Sequence, residues 1–305
     1  MRDAFARLAR GQAVLPGVIN LDIPENRVEV HVKGAYLRDT PHFSIKVAGG
    51  SWDNPARGLP VGHGLVLVFD ARTSFLTAVL FDNGYLTDLR TGAAGGLAAD
   101  LLAKRDVDRV GIVGVGVQGR YQLESLLQVR RPRRVVAFGR SADKAAAYAK
   151  EMEARFRIPV ELVPTIEEAV RDSDVVITAT PSREPLVRAE WVGPGTHITA
   201  LGSDGPDKQE LDVGVLAKAD KVVADRLDQC LRLGEIHHAV DAGVMRPDDV
   251  YAELGEIAAG MKPGRTSDEE ITVADLTGVG VQDAAVANLV VSEALRRRLG
   301  KALEV

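Results

Sequence analysis

Two rhythms of apolar and polar positions divide this chain. In roughly its first quarter, short stretches alternate: Val28 to Val32, Phe43 to Val47, Leu65 to Phe69 and Leu76 to Phe81 each read as a half-buried strand. Turn-rich links such as Ala48-Gly49-Gly50-Ser51 and Asp53-Asn54-Pro55 separate them, and Asp70 to Ser74 reads as a hairpin turn. Strands joined without long intervening helices predict a mostly antiparallel sheet. An amphipathic helix over residues 1–13 precedes them, with Ala4, Phe5, Leu8 and Ala9 on one face and Gly11 at its end. A helix rich in Ala and Gly follows, Leu89 to Lys104, with Thr87 or Asp88 as its cap.

From Arg109 the period changes. Strands are predicted at Arg109–Val113, Arg134–Phe138, Asp174–Ala179, His197–Leu201 and Lys221–Ala224, with helices between them, as at Ala142–Arg155 and Thr165–Asp172. Residues from about 226 to 260 read as helical and close on Glu253-Leu254-Gly255-Glu256. Ile271–Leu276 reads as a further strand and Gln282–Arg298 as a long last helix. Strand–helix alternation implies a parallel, doubly wound sheet with right-handed crossovers. At its head Gly114, Gly116 and Gly119 form G-x-G-x-x-G between a strand and a helix. Gly114 permits the tight turn, Gly116 lets backbone approach a pyrophosphate, and Gly119 lets the helix pack on the strand. The helix N-terminus, with Val117 and Gln118, would bind the phosphates. Ligands of such sheets lie at the carboxyl ends of the strands, so Arg140–Ser141, Thr180–Ser182 and Gly202–Asp204 should share the crevice with this loop, bringing Thr180 and Ser203 to the cofactor. The fold class is therefore α/β, a Rossmann doubly wound parallel sheet with a smaller α+β domain. The expected division is 1–104 with 283–305 for the smaller domain and 105–282 for the dinucleotide domain.

Composition narrows the class further. The 305 residues carry a formal charge of −5 and no dominating basic run, which argues against nucleic acid as the main partner. Arg130-Arg131-Pro132-Arg133-Arg134 reads as a solvated connection. A lone cysteine, Cys230, cannot form an internal disulfide and fits a reducing cytoplasm. No run is long and apolar enough to span a membrane, and no signal-peptide pattern opens the chain, so a cytoplasmic location is expected. The histidines form no metal pattern. His237 and His238 are adjacent, point about 100° apart on a helix, and are read as a packed or solvated pair. No catalytic metal is expected.

Several stretches in combination resemble the ornithine cyclodeaminase/mu-crystallin family: Leu86-Thr87-Asp88-Leu89-Arg90-Thr91, the glycine loop through Gln118, Gly202-Ser203-Asp204-Gly205-Pro206-Asp207-Lys208-Gln209-Glu210-Leu211-Asp212, Glu253-Leu254-Gly255-Glu256 and Thr277-Gly278-Val279-Gly280-Val281-Gln282-Asp283. Within it, Glu29-Val30-His31-Val32-Lys33 and Asn54-Pro55-Ala56-Arg57-Gly58-Leu59-Pro60 are most similar to the ectoine-utilisation cyclodeaminase branch, and iminosuccinate reductases share much of the pattern. Members usually carry a further strand and helical residues ahead of the point where this chain starts, so it is either short there or begins upstream.

The resemblance implies a homodimer, a small amino or imino acid substrate, and chemistry at a Cα–N bond. In cyclodeaminases the amino acid is oxidised to an imine, a side-chain amine closes a ring, ammonia leaves, and the cyclic imine is reduced. The alternatives are a net imine reductase or amino acid dehydrogenase, or a non-catalytic mu-crystallin-like NADP-binding protein. Arg90 matches the family's substrate-carboxylate arginine, and a guanidinium suits a carboxylate by its paired N–H donors. Lys46 matches the lysine that contacts the carboxylate or the reacting nitrogen. Asp204 matches the catalytic aspartate, which mu-crystallin-like members lack. A third basic residue of the family aligns near Asn20, a departure that Arg27 or Lys33 would make good. Glu29 is a further candidate for the substrate amine, Val279 for the cofactor, and Lys208 and Glu210 for ordering the Asp204 loop. Phe138-Gly139-Arg140-Ser141 lacks an acid for a ribose 2′-hydroxyl, and Arg140 with Ser141 and Lys144 suits a 2′-phosphate, a lean to NADP. The cyclodeaminase resemblance leans to NAD, and both stay open.

Overall fold

In the computed structural model, which describes residues 1–51 and 53–303, the change of apolar rhythm becomes a change of sheet type. The residues fall into two compact units, one built of Asp3–Arg90 with the stretch from Val279 onward, the other of Thr91–Gly278. The division thus falls between Arg90 and Thr91, inside a helix that the sequence assigns whole to the smaller domain.

The first unit opens with α1 (Arg2–Ala9), which buries Ala4, Phe5, Ala6 and Leu8. Among the described residues its sheet has six strands: β1 (Ala13–Val14), β2 (Ile19–Ile23), β3 (Val28–Leu37), β4 (His42–Ser51), β5 (Gly62–Asp70) and β6 (Leu76–Leu80). Their order is β1-β3-β4-β5-β6, with β2 also on β3, and every pairing is antiparallel. Burial alternates along β4 from His42 to Val47, as a sheet covered on one face requires. The last helix, α10 (Gly280–Arg297), supplies the cover: Ala287 and Val291 pack with Val66, Val68 and Leu86. β3 runs five residues beyond the predicted Val32. Gly34 interrupts the apolar alternation there without interrupting the strand, and α10 approaches so closely that a Cβ on Gly280 would collide with the Gly34 carbonyl.

Helix α2 (Tyr85–Leu102) starts earlier than predicted. Asp82 Oδ2 accepts a hydrogen bond from Leu86 N at 2.7 Å, so neither Thr87 nor Asp88 is the cap; both lie within the helix.

The second unit carries an all-parallel sheet of eight strands among the described residues: β7 (Arg109–Val113), β8 (Arg134–Phe138), β9 (Val160–Leu162), β10 (Val175–Thr178), β11 (His197–Ala200), β12 (Lys221–Ala224), β13 (Ala252–Glu253) and β14 (Thr272–Asp275). Its order is β13-β12-β14-β11-β10-β7-β8-β9. β10, β11, β12 and β14 are buried at every residue, which explains why none of them alternates apolar with solvent-facing polar residues; the polar groups they do carry, such as His197 and Asp275, are buried and hydrogen-bonded. The connecting helices are α3 (Val117–Leu126), α4 (Ala142–Phe156), α5 (Ile166–Val170), α6 (Val213–Lys218), α7 (Leu227–Cys230), α8 (Gly234–Asp241) and α9 (Leu254–Ala258). The stretch expected to be wholly helical contains β13, a strand of two residues, too short to register as a period. The chain winds outward from β7 to β9, then returns to β10 on the other side of β7. Such a reversal of strand order opens a crevice at the carboxyl ends of β7 and β10. No helix among the described residues is long and apolar enough to cross a membrane.

Candidate active site

The glycine loop fills the turn after β7. Gly114 has φ +111° and donates its N–H to Phe138 O at 3.1 Å. A Cβ there would lie 2.5 Å from Ala179 O at the end of β10, and one on Gly119 would strike the Gly114 carbonyl. Gly116, the N-cap of α3, differs: a Cβ on it would meet nothing within 4 Å. That open space lies over the first turn of α3, where Val117 is 54% exposed, and it suits a pyrophosphate held by helix N–H groups. Arg120, which the sequence does not single out, pins the turn. Its Nη1 donates to Val115 O (2.6 Å) and Gly116 O (2.9 Å), while its Nε pairs with Glu151 of α4 at 2.8 Å. Gln118 follows Val117 in the first turn of α3. Arg140 and Ser141 stand exposed after β8, and Ser141 Oγ accepts from Lys144 N at 3.4 Å to cap α4.

Glu210 binds the neighbouring strand ends together. Its buried carboxylate accepts from Thr178 Oγ1 (2.7 Å), Thr180 N (2.6 Å), Thr180 Oγ1 (2.8 Å) and Gly202 N (2.8 Å). Burial raises its pKa in spite of these donors, which favour the charged form. The next residues of the loop are Ser203, buried and donating Oγ–H to Lys208 O, and Asp204, whose side chain is 47% exposed. Lys208 Nζ donates to Asp204 Oδ1 at 2.8 Å. Thr180, Ser203 and the glycine loop therefore cluster at adjacent strand ends, with Asp204 beside them.

In the first unit the basic candidates gather on the sheet face beside the start of α10. Lys33 and Lys46 are register partners on β3 and β4, and both are buried. Lys46 Nζ lies 3.8 Å from Asp283 Oδ2. Arg90 donates Nε–H to Asp283 Oδ1 at 3.1 Å and Nη1–H to Gln282 Oε1 at 2.7 Å. Gln282 and Asp283 lie in a quoted motif, yet the sequence assigns them no role. Val279 is buried at the N-cap of α10 and donates its N–H to Gln282 Oε1 at 3.1 Å. Of the two substitutes for the missing basic residue, Arg27 is exposed and paired with Asp53 at 2.7 Å, whereas Lys33 faces Lys46. Asn20 is the register partner of His31 and bonds its Nδ1 at 2.8 Å. Glu29 is two residues along the same face, 4.0 Å from His31 Nε2 and partly exposed.

A doubly wound dinucleotide-type sheet, joined in one chain to an antiparallel sheet that carries a buried cationic cluster, defines the class as a Rossmann-fold protein with an added α+β unit. The chain belongs to the ornithine cyclodeaminase/mu-crystallin family, whose model matches residues 1–298. It is 43% identical to an uncharacterized cyclodeaminase of Sinorhizobium fredii, across 99% of this chain and 92% of that one. The Thermococcus litoralis Δ1-pyrroline-2-carboxylate reductase, solved with NADH and L-proline, superposes with a TM-score of 0.95 at 32% identity, covering 99% of this chain and 93% of that one. An archaeal alanine dehydrogenase dimer with bound NAD gives 0.92 at 40% identity, covering 99% and 92%.

Proposed function

We propose that this protein is an NAD(P)-dependent enzyme that interconverts a small α-amino acid and its α-imine. The observation that carries the reading is the set of three buried cations in the first unit, Lys33 and Lys46 in register on the sheet and Arg90 of α2 turned by Asp283 and Gln282. They outnumber Asp283, the carboxylate that Lys46 and Arg90 share, and Arg90 has the planar donors that suit a carboxylate. The dinucleotide, held by Gly114, Gly116, Val117, Gln118 and Gly119, with Thr180, Ser203 and Val279 as further contacts, would accept or supply the hydride at Cα. Lys33, Lys46 and Arg90 hold and orient the carboxylate. Asp204 takes a proton from the substrate nitrogen or returns it, and Lys208 Nζ, 2.8 Å from its Oδ1, holds the carboxylate in place.

Net redox turnover, as imine reductase or amino acid dehydrogenase, is the reading best supported by the named activities of the two solved relatives. Cyclodeamination is the second reading. Glu29 favours it, because a carboxylate on the face that carries Lys33 suits the distal amine of a diamino acid. Apolar side chains exposed on the first unit, among them Ile19, Leu21, Phe75 and Phe81, support a homodimer built through that unit.

The experiment measures ammonia and nicotinamide absorbance in parallel. Its panel is pyruvate, oxaloacetate, Δ1-pyrroline-2-carboxylate, alanine, aspartate, ornithine and 2,4-diaminobutyrate, with ammonium where a 2-oxo acid is used and with either cofactor. Cofactor consumed in step with substrate supports the redox reading, ammonia released without net cofactor change supports cyclodeamination, and cofactor binding with silence across the panel counts against both.

A further inference from the structure

His237 and His238, read from sequence as a packed or solvated pair, have a definite occupation in the fold. They lie in α8 with ring centroids 3.7 Å apart. His238 Nε2 is 2.8 Å from Lys208 O, and because a carbonyl only accepts, that nitrogen carries the hydrogen. His237 Nε2 faces Pro206 O at 3.1 Å, and its Nδ1 faces Gly234 O at 2.7 Å. From the same helix Glu235 accepts Glu210 N (2.8 Å) and Leu211 N (3.0 Å). Three side chains of α8 thus take four backbone groups of a single loop. The helix is itself anchored, since Asp275 Oδ2 at the end of β14 accepts from Glu235 N (2.9 Å) and Ile236 N (3.0 Å). The loop held in this way is the one that presents Asp204 and its ion-pair partner Lys208.

We propose that His238, with His237 beside it, is a positioning residue whose Nε2–H fixes the 204–211 loop and so the direction of the Asp204 carboxylate. The proposal rests on the reading of Asp204 as the proton-carrying group. Burial lowers the pKa of His238, against the opposing pull of the Lys208 carbonyl and Asp241 and with the help of His237, so near neutral pH the ring is uncharged and its one N–H is committed to Lys208.

His238→Phe, His238→Gln and Asp204→Asn are compared with the parent protein. The readouts are hydrogen–deuterium exchange of the peptide spanning 203–212 and turnover of pyruvate plus ammonium with NADH. Phe keeps the ring volume and removes the donor, whereas Gln returns an amide N–H near the Nε2 position. In His238→Phe, loop exchange rises about fivefold, the loss of one hydrogen bond, while peptides of α8 exchange as in the parent. Its kcat falls by roughly ten- to a hundredfold with KM for pyruvate unchanged, and His238→Gln recovers most of both. Parent-like loop exchange in His238→Phe, or a Gln variant as impaired as Phe, overturns the proposal. Unchanged exchange with lost turnover in Asp204→Asn is the expected control. Retained turnover in that variant removes the role assigned to Asp204, while the exchange data still decide whether His238 holds the loop.

Discussion

Lys33 and Lys46 face each other across β3 and β4, in register, buried, on the sheet face that Asp283 also reaches through Lys46. Like charges directly opposite on a sheet are destabilising by themselves. A substrate carboxylate on this face would offset that repulsion. Lys33→Met is therefore expected to raise KM for the substrate carboxylate by about tenfold or more. Initial rates check this, with a thermal melt to show that the variant is folded; an unchanged KM in a folded variant would count against it.

Arg90→Lys tests the planar donors. Arg90 uses Nε toward Asp283 and Nη1 toward Gln282, a fork that an ammonium cannot reproduce. The expected result is a fall in kcat/KM of about ten- to a hundredfold, with cofactor affinity within about twofold of the parent. Equal loss of cofactor binding would mean that Arg90 is structural.

Asp204→Asn removes the group proposed to carry the proton while keeping the side chain's size. Turnover should fall by at least about a hundredfold and cofactor binding should persist. Full activity in this variant would be fatal to the assigned role.

Arg140→Ala addresses the cofactor. Arg140 and Ser141 stand exposed at the end of β8, where a 2′-phosphate would be read. The dissociation constant for NADP should rise about tenfold and that for NAD should barely move. Calorimetric titration of both cofactors tells the two outcomes apart, and equal shifts would refute an NADP preference at this position.

Glu270 gives the protein an acid-sensitive anchor far from the loop chemistry. Burial alone would raise its pKa, but bonds from Lys221 Nζ (2.8 Å), Thr266 Oγ1 (2.6 Å) and Thr266 N (2.9 Å) outweigh it and bring the pKa down to about 2. A carboxyl whose folded pKa is depressed stabilises the fold above its unfolded value, here 4.5, and loses that contribution as pH falls toward 2. Glu270→Gln should accordingly melt several degrees lower at neutral pH, and the two curves should converge between about pH 4.5 and 2. A constant gap across that range would show that the ion pair does not set the stability.

The parallel sheet is legible because strands buried on both faces leave short apolar runs, as at Val175–Ile177, and because Gly114 and Gly119 each meet a backbone carbonyl that excludes a side chain. The antiparallel sheet was read less fully. β2 keeps a clear alternation, Ile-Asn-Leu-Asp-Ile, yet its first four residues are exposed, and β3 continues five residues past the predicted Val32, through Gly34, which breaks the apolar alternation but not the strand. Lys46 and Arg90 entered through the family resemblance. Asp283, which Arg90 and Lys46 share, stands in a motif of that resemblance without a role, because 193 positions separate it from Arg90 and no local period reports a contact of that span. His238 is legible only as one of a packed or solvated pair for the same reason: its partner carbonyl belongs to Lys208, 30 positions away.

That separation also sets an order of assembly. The antiparallel unit is made from both ends of the polypeptide, with the whole parallel unit between them in sequence. During synthesis at about 5–20 residues per second, some 10–40 s pass between the emergence of Arg90 and that of Asp283. Through that interval Val66 and Val68 have no Ala287 or Val291 to cover them, and Lys46 and Arg90 have no shared carboxylate. The parallel unit can fold on the ribosome as soon as it is made, whereas the cationic face closes only when the final helix arrives. A nascent chain halted before Gly280 would therefore hold every strand of both sheets and still lack the helix that covers Val66 and Val68.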